Sequence, residues 1–212
     1  MRPAAVTASP GCFGKIPQRG DFVSSNLPHS FIDAWDEFLR EFLSTSRAAL
    51  GEQWLETYLH GPIWRFIFEP THLVSSAVAG VLMPSVDRVG RYFPFTVAAL
   101  SPSVPESGMD DPWFVRAEEL SLETLDDAFD PQTLAQRVEA LGVPAATPET
   151  PQHGGALWWT LGSQSLAPMS FRAPALPRSE QCTVLLDGDW QRWKWQVEPL
   201  SAAATGETVA PS

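Results

Sequence analysis

Residues 62–69, with the sequence PIWRFIFE, decide the fold because aromatic and β-branched side chains alternate along them after a helix-breaking proline. In a strand, the side chains of Trp64, Phe66 and Phe68 point to one face of the sheet, and those of the residues between them point to the other. Both faces then carry apolar groups. The stretch therefore predicts a strand that is covered on both sides.

Strands are also predicted downstream of this stretch, at residues 74–83 and 92–100. The segment between them, PSVDRVGR, is too polar for the interior of a strand. Upstream, residues 11–27 are rich in glycine and proline and predict a short strand or turn.

Helices are predicted between the first turn segment and residue 62. A long helix begins at Ser30 and stops at Gly51, and a short one runs from Gln53 to Leu59. The apolar residues of the long helix recur at helical spacing and form one aromatic stripe: Phe31, Trp35, Phe38, Leu39, Phe42 and Leu43. Such a stripe packs against a core.

The second half of the chain predicts two helices followed by three strands. The helices cover residues 112–129 and 131–141, and the strands cover residues 155–161, 181–186 and 190–197.

A hairpin is predicted between the last two of these strands, because an Asp-Gly step at Asp187 and Gly188 favours a tight turn. In the final strand, Trp193 and Trp195 would share one face and the basic residues the other. We interpret this alternation as ordinary packing rather than as a stacking platform for sugars or bases.

These elements predict an α/β fold, a single-domain sandwich in which helices cover a mixed β-sheet on both faces. The domain is predicted to span residues 11–197, with a flexible N-terminus at residues 1–10 and a flexible tail at residues 198–212.

The net charge of the 212-residue chain is −11, and most of it falls on residues 101–150, where Arg116 and Arg137 are the only basic residues. This balance argues against nucleic acid as a partner. The acidic stretch is either the solvated face of helices or a docking surface for a basic partner.

Cys12 and Cys182 are far apart and match no zinc or disulfide spacing, so both are predicted to be buried, reduced thiols. No stretch is apolar enough for a membrane-spanning helix. We expect a cytoplasmic protein that is not embedded in a membrane.

The sequence lacks the GxSxG, P-loop, GxGxxG and HExxH motifs. The i, i+4 spacing of two metal ligands does not occur among the histidines, which are His29, His60, His72 and His153. Adjacent carboxylate pairs fall on predicted helix surfaces, where nothing would shift a pKa for acid–base work. We expect no enzymatic activity, no cofactor and no metal site.

Two segments are denser in glycine, proline and paired charges than turns require: GKIPQRGDFV at residues 14–23 and PSVDRVGRYFPFT at residues 84–96. Glycines that can take a positive φ allow tight turns there. The segments contain the candidate binding residues Lys15, Arg19, Asp21, Asp87, Arg88 and Arg91. These charges either form a buried ion-pair network that joins the two loops or bind a partner or ligand.

The two segments resemble the signature of the TagF or ImpM family, in which Gly-Lys-x-Pro-x-x-Gly-Asp-Phe is followed by Pro-Ser-x-Asp-x-x-Gly-Arg-x-Phe-Pro. Every position is present here. Among the candidate binding residues, Lys15, Asp21, Asp87 and Arg91 match the signature, whereas Arg19 and Arg88 fall at its variable positions. The other matching positions are the structural residues Gly14, Pro17, Gly20, Phe22, Pro84, Ser85, Gly90, Phe93 and Pro94. The aromatic helix and the PIWRF strand also resemble the family, so the similarity covers roughly the first half of the chain.

The resemblance implies a non-catalytic accessory regulator of the bacterial type VI secretion system. Such a regulator acts after translation and restrains the apparatus by binding a forkhead-associated-domain scaffold protein, and action beside the membrane complex stays open. Some relatives carry a fused serine/threonine phosphatase. Its metal-binding aspartate motifs do not occur in this sequence, so phosphatase activity is not expected.

Two other functions remain open from the residues alone. In the first, Asp21, Asp87 and Arg91 form a polar pocket for an anionic or phosphorylated ligand, in an enzyme or a ligand-binding module. In the second, the chain is a structural subunit with a large self-interface. An open cleft lined by Asp21, Asp87, Arg88 and Arg91 would favour the pocket. Full burial and mutual pairing of these side chains, with no cleft beside them, would exclude it.

Overall fold

The computed structural model describes residues 9–70, 76–101, 108–145 and 155–200. His72, His153 and most of the predicted flexible termini lie outside these described residues. The described elements, in chain order, are β1 (Ser9–Gly14), β2 (Val23–Ser25), α1 (His29–Leu50), α2 (Trp54–Leu59), β3 (Trp64–Phe68), β4 (Ala77–Met83), β5 (Phe95–Ser101), α3 (Pro112–Glu123), α4 (Leu134–Ala140), β6 (Ala156–Thr160), β7 (Met169–Ala173), α5 (Val184–Asp187) and β8 (Glu198–Pro199).

All the described strands form one sheet in the order β2-β1-β5-β4-β3-β6-β7-β8. The predicted single-domain α/β sandwich is confirmed, but every neighbouring pair of these strands is antiparallel, so the sheet is not mixed in direction. Short connections, such as the one between β6 and β7, cannot join parallel neighbours.

On one face of the sheet, the aromatic stripe of α1 packs on β3, which confirms that the stripe faces the core. Trp35 lies 5.2 Å from Phe66 and 5.7 Å from Phe68, measured between ring centroids. Its indole Nε1 donates a hydrogen bond of 2.9 Å to the hydroxyl of Thr96 in β5. The helix is therefore held to the sheet by aromatic packing and by one buried polar contact.

The opposite face is covered by α3 and α4. Phe114 of α3 packs edge-on against Trp159 of β6, with ring centroids 4.6 Å apart. Arg65, on this face of β3, forms an ion pair with Glu118 of α3 at 2.7 Å. Helices thus cover both faces of the sheet, and no helix in the described part of the chain is long and apolar enough to cross a membrane.

The cysteines lie on opposite faces of the sheet. Cys12 belongs to the core under α3 and α4, whereas Cys182 belongs to the core under α1. Both are buried free thiols, which confirms the prediction. The sheet between them excludes a disulfide.

The predicted C-terminal hairpin is wrong. Residues 179–183 form a 3-10 helix that continues into α5, and Gly188, with a φ of 70°, ends α5 as a left-handed C-cap. Three consecutive residues, Val184 to Leu186, are all buried, because α5 is enclosed by α1, α2 and the sheet. A short apolar run does not distinguish a buried strand from a buried helix, and an Asp-Gly step also suits a helix end.

Residues 190–197 do not form the predicted strand either. The chain turns back so that the amide of Trp195 donates to the carbonyl oxygen of Trp190, and the indole of Trp193 donates to the carboxylate of Asp187. The sheet instead gains β7, which pairs with β6 and for which the sequence analysis predicted no strand.

The helix predicted over residues 112–129 ends at Glu123. Beyond it, the carboxylate of Asp126 accepts the amide of Ala128, a local hydrogen bond that favours a turn over a continued helix. At the ends of the chain, β1 begins at Ser9 and β8 covers Glu198–Pro199, so regular structure extends slightly past both predicted domain limits.

Candidate functional site

The two motif segments meet because β1 and β5 are neighbours in the sheet. Gly14, the last residue of β1, lies opposite Phe95, the first residue of β5. The segment that follows β1 and the segment that precedes β5 therefore leave the sheet at the same edge. They are joined directly by a 3.0 Å hydrogen bond from the amide of Arg88 to the carbonyl oxygen of Arg19.

Asp87 is the centre of this contact. Its Oδ2 accepts from Lys15 Nζ at 2.7 Å and from Arg91 Nε at 2.6 Å. Its Oδ1 accepts the backbone amides of Val89 at 3.0 Å and Arg91 at 2.9 Å. Four donors therefore surround a carboxylate whose side chain is fully buried.

The pKa of Asp87 reflects these contacts. Burial alone would raise the pKa, but the hydrogen bonds from Lys15, from the amide and guanidinium of Arg91 and from the amide of Val89 together hold it far below its usual range. The carboxylate is therefore ionised at neutral pH.

A cluster of aromatic side chains packs beside the same contact. Phe22 stacks on Phe13 at 5.4 Å and meets the edge of Phe93 at 4.8 Å. Lys15 Nζ lies 5.1 Å from the centroid of Phe22, which is a cation–π distance. The motif positions thus combine one ion-pair cluster with one aromatic cluster, and Lys15 belongs to both.

Backbone geometry explains the glycine at the end of β1. Gly14 has a φ of 138°, and a Cβ there would lie 2.1 Å from the carbonyl oxygen of Pro94. Any other residue at this position would separate the two segments. Gly20 meets no such obstacle, but its carbonyl oxygen accepts a hydrogen bond from Arg91 Nη2.

Two residues that sequence reasoning missed anchor the segments to the helices. The phenol of Tyr58, in α2, donates to the carbonyl oxygen of Ser85 at 2.8 Å and accepts the amide of the same residue at 3.0 Å. Gln18 Nε2 donates to the carbonyl oxygens of Thr124 and Asp126, just beyond α3. The motif spacing carries no signal for either contact, because both partners are distant in sequence.

An open cleft of about 500 Å³ lies beside the contact. The motif residues Arg19, Asp21 and Arg88 line it together with β2 and the start of α4. These three side chains are exposed, whereas Lys15 and Asp87 are buried. The six candidate binding residues thus divide into the Asp87 cluster, made of Lys15, Asp87 and the exposed Arg91, and a cleft group of Arg19, Asp21 and Arg88.

The pocket that the sequence suggested from Asp21, Asp87 and Arg91 is not formed. Asp87 faces inward and takes part in the ion-pair cluster, while Asp21 faces the cleft. The ion-pair interpretation of the charged loops therefore applies to Lys15, Asp87 and Arg91, whereas Arg19, Asp21 and Arg88 line the open cleft.

The acidic helices are only partly free surface. Glu118 is paired with the buried Arg65, and Glu123 is paired with Arg137. Asp111 accepts the amide of Trp113 and caps α3. Part of the acidic stretch therefore stabilises the fold.

Comparison with known proteins places this arrangement in a family. A sequence model of the TagF N-terminal domain, described as type VI secretion system-associated, matches residues 11–141. This range is more than half of the chain and includes both motifs. The chain belongs to the TagF N-terminal domain family. The resemblance of the two motifs to that family is thereby confirmed, and the TagF-type domain is type VI secretion-associated.

The similarity to a solved structure extends beyond the range matched by the family model. The chain is similar to the crystal structure of PA0076 from Pseudomonas aeruginosa PAO1, with a TM-score of 0.79 and 35% sequence identity. The alignment covers 92% of this chain and 100% of that chain. Among curated protein sequences no match was found.

Proposed function

We propose that this TagF-type protein is a non-catalytic regulator of the type VI secretion system, which acts in the cytoplasm after translation. It represses the apparatus by binding a forkhead-associated-domain scaffold protein of the same system. The observation that carries the proposal is the family match over residues 11–141, which includes both charged motifs.

The state of Asp87 supports a structural role for that carboxylate rather than a catalytic one. Each of its oxygens already accepts two hydrogen bonds, and its pKa lies far below its usual range. A general base works best with a pKa near the operating pH. Asp87 is thus suited to holding two loops in place and poorly suited to taking up a proton.

The rigid loop pair supports a binding role. Arg19, Arg88 and Val89 are exposed on segments that the Asp87 cluster and Tyr58 hold in place. Side chains on a preorganised backbone lose less entropy when a partner binds. An exposed loop on a fixed base is a usual arrangement for recognition.

Calorimetry with the forkhead-associated scaffold from the same secretion cluster tests this function. We expect saturable binding by the wild-type chain. In bacteria, removal of the protein should raise secretion by the apparatus without changing transcript levels, and restoring it should lower secretion again.

A variant of the acidic surface tests whether the scaffold docks there instead of on the motif loops beside the cleft. Glu119→Gln with Asp127→Asn removes exposed charge, whereas Glu118 must be kept because it pairs with the buried Arg65. If the scaffold does not bind the wild-type chain, the scaffold mechanism is wrong. If binding is lost only in the acidic-surface variant, the partner docks on α3 and the turn that follows it instead of on the motif loops.

The cleft favours a second candidate function, a module that binds a small anionic ligand. Its support is the volume of about 500 Å³ beside two exposed arginines. The enzyme version of this idea is weaker, because Asp87 and Arg91 are not among the residues that line the cleft. Thermal denaturation with and without inorganic phosphate tests the ligand version.

A further inference from the structure

Arg19 and Arg88 are two neighbouring cations whose guanidinium groups form no ion pair within the described part of the chain. Both are exposed and both line the cleft. Within the described ranges neither lies in ion-pair distance of a carboxylate, while ion pairs are made by Lys15, Arg40, Arg65, Arg91, Arg137, Arg178 and Arg192. In a chain with a net charge of −11, this pair is suited to a carboxylate supplied from outside.

The backbone holds the two arginines together. The amide of Arg88 donates to the carbonyl oxygen of Arg19 at 3.0 Å, and the Asp87 cluster fixes the turn that carries Arg88. The two guanidinium groups therefore extend from adjacent, fixed points on the chain. Arginine binds carboxylates in a planar, two-pronged geometry, so two such groups can select an acidic side chain.

The edge strand β2 borders the same cleft. β2 is at the end of the sheet and pairs only with β1 among the described strands. All three of its residues line the cleft, although successive side chains of a strand point to opposite faces. The cleft therefore runs along the edge of β2, where backbone donors and acceptors are available to another strand.

The opposite wall of the cleft contains small and apolar side chains. Leu134 and Ala135 of α4, with Pro131 before them, face the region of β2, and Cys12 lies at its base. An extended peptide places alternate side chains on each side of its backbone. Such a peptide can direct one set of side chains at this wall while its backbone follows β2.

We propose that the cleft binds an extended, acidic segment of a partner protein, which adds to the sheet as a strand beside β2 and places a carboxylate between Arg19 and Arg88. This assignment rests on the proposed function, in which the partner is the scaffold protein. Strand addition supplies backbone hydrogen bonds, and the arginines supply the charge preference.

Asp21 provides a test of the charge preference, because it lines the cleft with the opposite sign. Replacing it by asparagine removes a repulsive charge and keeps the size of the side chain. Asp21→Asn should therefore bind an acidic segment more tightly than the wild-type chain, about threefold at low ionic strength.

Nuclear magnetic resonance with a peptide probe tests the cleft directly. The probe is an acetylated peptide of alternating glutamate and valine, and the control replaces each glutamate by glutamine. We expect saturable shifts at the amides of Val23, Ser24 and Ser25 with the glutamate peptide. The double variant Arg19→Ala with Arg88→Ala should weaken this binding by about tenfold.

A matched variant shows whether weaker peptide binding comes from the loss of these two arginines or from the loss of net positive charge. Arg40→Ala with Arg116→Ala removes two exposed cations elsewhere and should leave the peptide shifts unchanged. Absence of shifts at β2, or equal shifts in the cleft double variant and the wild type, would overturn the proposal. Shifts with inorganic phosphate but not with the peptide would also overturn it, in favour of a small-anion site.

Scaffold binding then distinguishes this inference from the function on which it rests. If the scaffold binds the wild type and the cleft double variant equally well, the regulator function stands and the cleft is not the docking site. If the scaffold binds neither, the proposed partner is wrong, and the peptide titration alone decides whether the cleft takes an acidic segment.

Discussion

Asp87 holds the two motif segments together through a single buried carboxylate. It is fully buried and has four hydrogen-bond donors, two from side chains and two from backbone amides. A buried charge with this many partners is stable, but removing its charge leaves Lys15 buried without a counterion.

Asp87→Asn should lower the free energy of unfolding by about 3 kcal/mol, because the charge of Lys15 would then be buried without its counterion. Urea denaturation at neutral pH measures this change. Asp21→Asn, at an exposed position of the same loop pair, should change stability by less than about 0.5 kcal/mol. Equal effects of the two substitutions would show that the Asp87 cluster does not hold the loops.

The pH dependence of stability follows from the lowered pKa of Asp87. Above the unfolded-state value of about 4, the carboxylate is ionised in both states and its contribution is complete. Below that value the unfolded chain binds the proton first, so the contribution is lost as pH falls towards the folded pKa.

The difference in unfolding free energy between wild type and Asp87→Asn should therefore be constant from about pH 5 to pH 7 and should shrink below about pH 4. Denaturation of both proteins across this range gives the difference directly. Parallel curves down to about pH 2 would contradict a lowered pKa for Asp87.

At the level of strands and helices, β3 and β4 pair through a contact between a large and a small residue. Phe66 lies opposite Gly80, and a Cβ on Gly80 would lie 2.2 Å from the ring of Phe66. Phe66 also stacks on Phe68 with centroids 4.4 Å apart. The glycine therefore creates the space in which the central aromatic cluster packs.

Gly80→Ala should destabilise the protein by about 1–3 kcal/mol, because the added methyl group overpacks the centre of the sheet. Thermal or urea unfolding measures the loss. Adding Phe66→Leu should recover part of it, since the two positions share one space and their effects are not additive. Gly20→Ala, where nothing lies within 4 Å of the new Cβ, is the control.

Over the whole molecule, the sheet divides the interior into two cores, and each core holds one thiol. Burial raises the pKa of Cys12, and burial together with the charge of Glu41 raises that of Cys182 to about 12. Both thiols are almost completely buried, including Cys12 at the base of the cleft, which is 1% exposed. Buried thiols with raised pKa values are unreactive in the native state.

Neither cysteine should react with a thiol reagent at about pH 8 until the protein unfolds, and both should react in denaturant. The rate of native-state labelling, measured with Cys12→Ala and Cys182→Ala variants, reports opening of each core separately. Rapid labelling of Cys182 alone would show that the layer formed by α1 and α5 opens without global unfolding.

The amino-acid sequence by itself predicted much of the fold and the family. Periodicity located α1 and the strands β3 to β6, since these patterns arise from the local geometry of each element. The two motifs were recognisable as a family signature because their residues are close together in sequence.

The tertiary structure alone decided which residues of the two motif segments join the buried ion-pair cluster and which line the open cleft. Lys15 and Asp87 are 72 positions apart, and they meet only because β1 pairs with β5. The same pairing turns Arg19 and Arg88 outward beside β2. The C-terminal run from Val184 became a helix for a related reason: apolar residues on every side of a segment carry no period, so surrounding α1, α2 and the sheet set its conformation.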